Sequence, residues 1–460
     1  MVLSCLPGSA RIPGEHIARS ACCRAVGTFE VAIAVRRGCE PLCGGTCPSE
    51  ASSVPRSGRA ARILADAASL GTRTRRMPGR PPRRPLILEP GWRIAARMVR
   101  NASSALIPLR EAANLLSGES APVAPATVPL EAALGCIAAG AVVARSAVPA
   151  AMTAVRDGFA VEAAAVGGAS AYAPIFLARP PPWVEAGQPL PSGTDAVLPP
   201  EGYADGTVVA DIATREGVCG AGDDVADNAR LIEAGTRIEP LHLLVLEAAG
   251  LETIDVRQPL LRVVTAGTSS LDTVSPLLRR LIARAGGVTE AVRARGVEDI
   301  VAAIRGGTAD AVLVVGGSGF GRSDHSAAAL GLAGEVRAHG IALRPGETTA
   351  VGSAAGRPVL LVPGRPEAAL AAFLALGRPL IARLAGAQDR GPRRHVLVRK
   401  IVSSIGLSEV VFVRSASEGV EPLGGAGLPL GRLVQADGIV VVEPESEGFR
   451  TGEEAEVWAL

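Results

Sequence analysis

The stretch Ala311-Val-Leu-Val-Val-Gly-Gly-Ser-Gly-Phe-Gly-Arg-Ser-Asp324 decides the fold of this 460-residue chain. Its first five residues are apolar without polar alternation, the pattern of a strand covered on both faces in a parallel sheet. Reading outward, Leu261-Arg-Val-Val-Thr265 and Val359-Leu-Leu-Val362 repeat that pattern. Helical periods separate them. Val274, Leu277, Leu278, Leu281, Ile282 and Ala285 share one helix face, residues 297–304 form a second helix, and residues 367–384 form a long third. Strands separated by helices imply right-handed βαβ units and a three-layer, mostly parallel α/β domain over residues 259–389. Ligands of such sheets lie beyond the carboxyl ends of the strands, so the loops after Val315 and Val362 are the first places to look.

The remaining segments make the chain an α/β multidomain protein. Residues 98–146 open with an amphipathic helix at Pro108-Leu-Arg-Glu-Ala-Ala-Asn-Leu-Leu116, then a second at Val128-Pro-Leu-Glu-Ala-Ala-Leu-Gly135. The runs Ala141-Val-Val-Ala144, Gly158-Phe-Ala-Val161 and Ala196-Val-Leu198, with Pro and Gly clustered at 178–200, mark a β insertion over 147–222. Residues 223–258 return to helix, with Leu241, Leu244, Val245 and Ala248 at i, i+3, i+4, i+7 and Gly250 as the stop. The two helical stretches are expected to pack together as one discontinuous domain. Residues 390–460 carry runs such as Glu409-Val-Val-Phe-Val413 and Ile439-Val-Val-Val-Glu443, the signature of a small C-terminal β domain.

Residues 1–97 hold six of the eight cysteines (Cys5, Cys22, Cys23, Cys39, Cys43 and Cys47) and no sustained periodicity. They are expected to be disordered or to precede the true start, since the spacing of Cys39, Cys43 and Cys47 is not a zinc pattern. The chain is 48% hydrophobic, 20% charged and 3% aromatic, with net charge +2, so no nucleic-acid or membrane footprint is expected. No run of about 18 apolar residues and no leader pattern is read, which makes a cytoplasmic protein the expectation. Lys400 is the only lysine, so arginine must supply any cation elsewhere.

Five loops can carry chemistry. In residues 316–324 glycines let successive N–H groups approach an anion, and Asp324 can hold Mg²⁺ beside phosphate oxygens. Read alone, the loop is equally a strand-to-helix turn with Asp324 as N-cap. The missing lysine excludes a Walker loop, and the glycine spacing excludes a dinucleotide fingerprint. Arg344 in Leu343-Arg-Pro-Gly346 and Arg365 in Val362-Pro-Gly-Arg-Pro366 offer planar forks for an oxyanion, the alternatives being a surface turn and a helix start. Asp157-Gly158 is a turn signal between strands. Asp223 and Asp224, in Gly222-Asp-Asp-Val225, complement a helix dipole. The five histidines are scattered; His325 and His339 lie near the first loop, where a packing role is the plainer reading.

Taken in order, these loops resemble the molybdopterin molybdenumtransferase family, bacterial enzymes related to the gephyrin E domain. The resemblance runs from about Met98 to Leu460. The family's Ser-Ala-Met-Asp-Gly-Tyr-Ala looks like Thr153-Ala-Val-Arg-Asp-Gly-Phe-Ala160, and its Gly-x-Pro-Leu-Pro-x-Gly-x-Asp-Ala-Val like Gly187-Gln-Pro-Leu-Pro-Ser-Gly-Thr-Asp-Ala-Val197. Gly222-Asp-Asp-Val225 matches Gly-Glu-Asp-Ile, the 316–324 loop matches Gly-Gly-x-Ser-x-Gly-x-x-Asp with its Ser moved, and Gln435-Ala-Asp-Gly438 matches outright. Arg344-Pro-Gly-Glu347 and Pro363-Gly-Arg-Pro366 look like Arg-Pro-Gly-Lys and Pro-Gly-Asn-Pro.

The resemblance implies insertion of molybdate into adenylylated molybdopterin with release of AMP, assisted by Mg²⁺. It implies a homodimer with each site between one subunit's α/β domain and the other's insertion. Molybdopterin adenylyltransferase or a client molybdoenzyme would be protein partners. Asp157, Asp224 and Asp324 carry over as catalytic carboxylates, and Asp324 as the metal ligand. Gly316, Gly317, Ser318, Gly319, Gly321, Arg344, Pro345, Gly346, Pro363, Gly364, Arg365 and Pro366 carry over as pterin-nucleotide contacts. Three departures bear on turnover. Thr265-Ala-Gly-Thr-Ser-Ser-Leu271 replaces a Thr-Gly-Asp-Glu-Leu motif whose Glu is the family's catalytic carboxylate, Glu347 replaces a lysine, and Arg365 replaces an asparagine. A non-catalytic pterin carrier or chaperone is therefore the second reading, and an unrelated phosphate-binding α/β enzyme the third.

Overall fold

A computed structural model describes residues 106–460 except 268–271, 320, 322, 323, 389 and 390; the expectations for residues 1–97, and for their cysteines, lie outside the described residues. At the centre is a six-stranded sheet of β1 (Leu260–Ala266), β2 (Val288–Ala294), β3 (Ala311–Val315), β4 (Glu335–His339), β5 (Ala350–Ala354) and β6 (Arg357–Val362), in the order β2-β1-β3-β6-β5-β4. The pairs β1–β2, β1–β3 and β3–β6 are parallel, while β5 and β4 complete one edge antiparallel.

The apolar run of β3 has a direct physical cause. Ala311, Leu313 and Val315 face one buried cluster and Val312 and Val314 face another, so no position is left for a polar residue. Helices Val274–Arg284 and Pro366–Ala372 cover the first face, and Val297–Arg305 and Ser326–Ala333 the second. The helix that begins at Pro366 runs through a π-helical segment, Phe373–Gly377, into Arg378–Ala385. By length and hydropathy Pro366–Ala385 is long and apolar enough to cross a membrane, though Glu367, Arg378 and Arg383 interrupt it, and 72% of its apolar window is buried inside the protein, as in a core helix. Arginine does structural work in a chain so short of lysine. Arg357 donates to the carbonyls of Ile304, Arg305, Gly306, Gly307 and Ala309, closing the end of the helix Val297–Arg305.

Leu130, Ala133, Cys136 and Ala138 share a core with Ile232, Ile238, Leu246, Ile254 and Val256, so segments on both sides of the insertion pack together. Four local expectations are corrected here. The predicted helix at 128–135 is shortened to Leu130–Ala133, because Val128 and Pro129 end the strand Ala126–Pro129, which pairs with Thr253–Arg257. The helix Leu109–Ser117 buries Ala112 and Leu116 in the α/β core instead. Residues 223–239 are turns and the strand Arg230–Ile232; the helix begins at Pro240 with Glu239 in a capping box. Asp223 and Asp224 thus sit at no helix start. The predicted helix face was also misplaced: Leu246 is the fully buried residue, while Leu241 and Leu244 are 76% and 62% exposed.

The insertion is built from short sheets, including Trp183–Val184, Gly158–Val161 and Ala196–Leu198 in that order. Gly158 is required sterically, because a Cβ there would lie 2.2 Å from the Leu198 carbonyl oxygen. The C-terminal sheet places Val410, Phe412 and Ile439 in the α/β core and Val411, Val413 and Val440 in a core of its own, the alternation expected of strands covered on two faces.

Candidate functional site

Three loops meet at the carboxyl ends of β3 and β6. The Gly316 N–H donates to the Val362 carbonyl at 2.9 Å, and a Cβ on Gly364 would stand 3.7 Å from the Gly316 Cα. The 344–349 turn joins them through the Ser318 and Thr348 hydroxyls, 3.5 Å apart. The binding residues predicted in these loops are thereby gathered at one end of the sheet.

The glycine loop has a defined polarity. Gly316 and Gly317 both have positive φ, 86° and 62°, which a side chain resists. The Gly316 carbonyl accepts from Ser326 Oγ at 2.7 Å, the Gly317 carbonyl from the Ser326 N–H at 3.0 Å, and the Ser318 carbonyl from His339 Nε2 at 2.9 Å. In a trans peptide the C=O and N–H point in opposite directions. Tying three successive carbonyls to the protein therefore turns the N–H groups of Gly317, Ser318 and Gly319 the other way. Among the described residues these three N–H groups have no hydrogen-bond acceptor. Three successive donors without an acceptor are what an anion nest offers. Ser326, fully buried, and His339 were not read from the sequence as site residues; they act on backbone atoms ten and twenty-one positions away.

The charges around this cradle are largely engaged. Asp324 is not the N-cap of the following helix, which starts at Ser326 after His325. Its Oδ2 accepts from the Gly321 N–H at 2.8 Å, folding the carboxylate back over the loop. Arg344 lies 3.8 Å from Glu347, both about two-fifths exposed, and a second Glu347 oxygen accepts from the Gly346 N–H. Arg365 places Nε and Nη2 on one oxygen of Glu367, at 2.8 and 2.7 Å. Pro363 and Pro366 bracket Gly364 and Arg365, with Pro366 in the first turn of its helix as expected.

After the neighbouring strand β1 the first carboxylate in the sequence is Asp272, since residues 267–271 are Gly-Thr-Ser-Ser-Leu. It binds the first turn of the helix Val274–Arg284, one residue before the N-cap Thr273: Oδ1 accepts from the Ser275 N–H at 3.0 Å and Oδ2 from the Thr265 hydroxyl at 3.0 Å. Burial raises its pKa, but hydrogen bonds from Ser275, Thr265 and the Val274 N–H outweigh that and hold it below the ordinary carboxylate range.

Asp157 and Asp224 are elsewhere. Asp157 is exposed and its Oδ1 accepts from the Ala186 N–H at 2.8 Å, inside the insertion. Asp224 lies beside Cys219, whose thiol is held above its usual range by burial and then by Asp224 and Asp223. The neighbouring Asp223 accepts from the Gly220 N–H at 2.7 Å and pairs with Arg215. The partners of both predicted catalytic carboxylates thus belong to the insertion side, while Asp324 alone belongs to the cradle.

Residues 107–250 match the family described as MoeA N-terminal region (domain I and II), and residues 263–383 match the probable molybdopterin binding domain. Among curated relatives, molybdopterin molybdenumtransferase 2 of Mycobacterium tuberculosis is 27% identical over 386 residues, spanning 73% of this chain and 95% of that protein. Molybdopterin molybdenumtransferase 1 of the same organism is 28% identical over 312 residues, 60% of this chain and 72% of that one. Among solved structures, a molybdopterin biosynthesis MoeA protein from Pyrococcus horikoshii superposes with a TM-score of 0.61 at 26% identity, covering 77% of this chain and 99% of its own. The two matched regions together cover more than half of the sequence, and the chain is a divergent member of the molybdopterin molybdenumtransferase family.

Proposed function

We propose that this protein acts in molybdenum cofactor biosynthesis, taking adenylylated molybdopterin at the 316–324 loop and inserting molybdate with release of AMP. The observation that carries the reading is the set of three N–H groups at Gly317, Ser318 and Gly319, turned outward by Ser326 and His339. Such a nest suits a phosphate of the nucleotide, whose charge it meets without a lysine.

A Mg²⁺ ion fits these residues as a substrate-borne cation. Asp324 engages one carboxylate oxygen with Gly321, and no group of three potential ligating side chains occurs among the described residues. Mg²⁺ keeps several waters and takes one or two carboxylates plus substrate phosphates, so a single Asp324 beside the nest is a sufficient protein share. The ion would neutralise phosphate charge as the AMP leaves.

The same reading makes the protein a cytoplasmic homodimer. In it, Asp157 and Asp224, whose partners lie in the insertion, are brought to a cradle by a second subunit's insertion. Exposed Tyr172, Phe176 and Trp183 on the insertion give that insertion an apolar surface to bury. Molybdopterin adenylyltransferase, as the source of the nucleotide, and a client molybdoenzyme are the corresponding protein partners.

The second reading is a carrier that binds the pterin without turnover. Asp272 favours it, because the first described carboxylate after β1 is spent on Thr265 and Ser275. Complementation of a strain lacking the insertase, at low and high molybdate, separates the two. Rescue supports the enzyme. Absence of rescue at every molybdate level, with tight molybdopterin binding by the purified protein, assigns the carrier.

A further inference from the structure

We propose that Arg365, held in place by the buried carboxylate of Glu367, is this chain's own hook for a doubly charged tetrahedral oxyanion, with Glu367 as its positioning residue. The inference rests on the cradle reading above and adds the group that supplies its fixed positive charge. Around the cradle the described ionic side chains are Arg344 and Arg365 against Asp324, Glu347 and Glu367. Arg344 is weakly placed: Glu347 is 3.8 Å away, on the same exposed turn, and competes with any anion for it. Arg365 differs in kind. Its guanidinium is 71% exposed while the Glu367 carboxylate is 6% exposed, so the pair is anchored from inside and presented outside.

The hydrogen bonds make the geometry specific. Nε and Nη2 both converge on one Glu367 oxygen, which fixes the plane of the guanidinium and leaves the terminal Nη1/Nη2 edge as a two-donor fork. Arg365 follows Gly364, which abuts Gly316, so the fork starts beside the nest. A carboxylate left alone at Glu367 would be a buried unpaired charge, so Arg365 is required there whether or not a ligand is bound. Its position is set before any anion arrives, and little side-chain entropy is lost on binding. Molybdate and the AMP phosphate share the chemistry that this fork recognises.

The test is calorimetric binding of sodium molybdate and, separately, of AMP with Mg²⁺, to the full chain and to the variants R365A, E367A, E367Q and the double variant R365A/E367A, each checked for fold by thermal melting. Loss of a charged two-point contact predicts roughly tenfold or more weaker binding of at least one of the two anions by R365A. The glutamate variants separate position from charge. If Glu367 acted only as a nearby negative charge, E367A and E367Q would both bind the anion more tightly. As a positioning residue, E367A weakens binding toward the R365A level, E367Q retains the wild-type value because its amide oxygen still accepts, and E367A adds nothing in the R365A background. The anion whose affinity moves identifies the source, molybdate or phosphate. Unchanged binding of both anions by R365A, or tighter binding by E367A, overturns the proposal while leaving the cradle reading intact. Wild-type protein that binds neither anion overturns both.

Discussion

The ends of β1 and β3 lie side by side in the same parallel sheet, with Thr265 opposite Val315, yet they are finished in opposite ways. After β3 the backbone carbonyls are tied inward and the N–H groups are left outward. After β1 the polar groups described are closed on each other, Thr265 on Asp272 and Ser275, and Asp272 on the helix that follows. Adjacent strand ends are equivalent by topology, and only local hydrogen bonding separates a ligand site from a helix start. The strand end after β3 thus holds N–H donors without an acceptor among the described residues, while the described polar groups after β1 are spent on one another.

Four substitutions test that contrast, from the largest expected effect down. Gly317→Ala puts a side chain at φ 62° and a Cβ 2.9 Å from Ser326 Oγ, so the loop must rotate and the serine must move. Misaligning two charge-assisted donors predicts nucleotide-pterin binding weaker by on the order of 100-fold in a titration. Ser326→Ala releases only the Gly316 carbonyl, and the same titration is expected to show about a tenfold loss. Equal binding by S326A and wild type would show that the carbonyl tether does not aim the donors. Asp324→Ala is expected to remove the Mg²⁺-dependent part of binding, again about tenfold, and to leave binding in chelator unchanged. A loss that persists in chelator would reassign Asp324 to loop structure.

Asp272→Asn is the smallest and the most diagnostic. Loss of the negative charge at a helix start predicts about 0.3–1 kcal/mol lower stability by denaturant unfolding near neutral pH, with no change in pterin binding. The sign of its pH dependence follows from a depressed folded pKa. The stabilisation is fully present above the unfolded value of about 3.9 and is lost as pH falls through the lower folded value. D272N should flatten that acid limb. Weaker pterin binding by D272N at neutral pH would return Asp272 to the ligand site and undo the comparison.

The sequence was most legible where burial leaves one choice. β3 and β6 are apolar on both faces, so their existence and parallel direction were legible in the alternation of apolar runs with helices. β2, β4 and β5 were not read: β2 and β4 are edge strands with Glu290, Arg293, Glu335 and Arg337 along them, and β5 contains Gly352 and Ser353. The helix at Pro240 was placed too early because the two aspartates outweighed Glu239-Pro240, the true start signal. In the site, glycine and arginine loops were visible as motifs. Ser326 and His339 were not, because a tether between a side chain and a distant carbonyl leaves no local pattern. Glu367 was hidden for a related reason: an acidic residue at a helix start has a ready explanation in the dipole, and only its burial with Arg365 shows a second role.

Leu343 and Arg344 pair in parallel with Ser408 and Glu409, and the Ser408 N–H donates to the Ala342 carbonyl at 2.8 Å. A turn that motif order assigns to the ligand cradle is thus woven into the C-terminal sheet. That sheet works as a splint across the cradle's second wall. A shear of its strands by one residue would carry Arg344 with it, and a chain cut before residue 408 would lose the splint even with every glycine of the first loop intact.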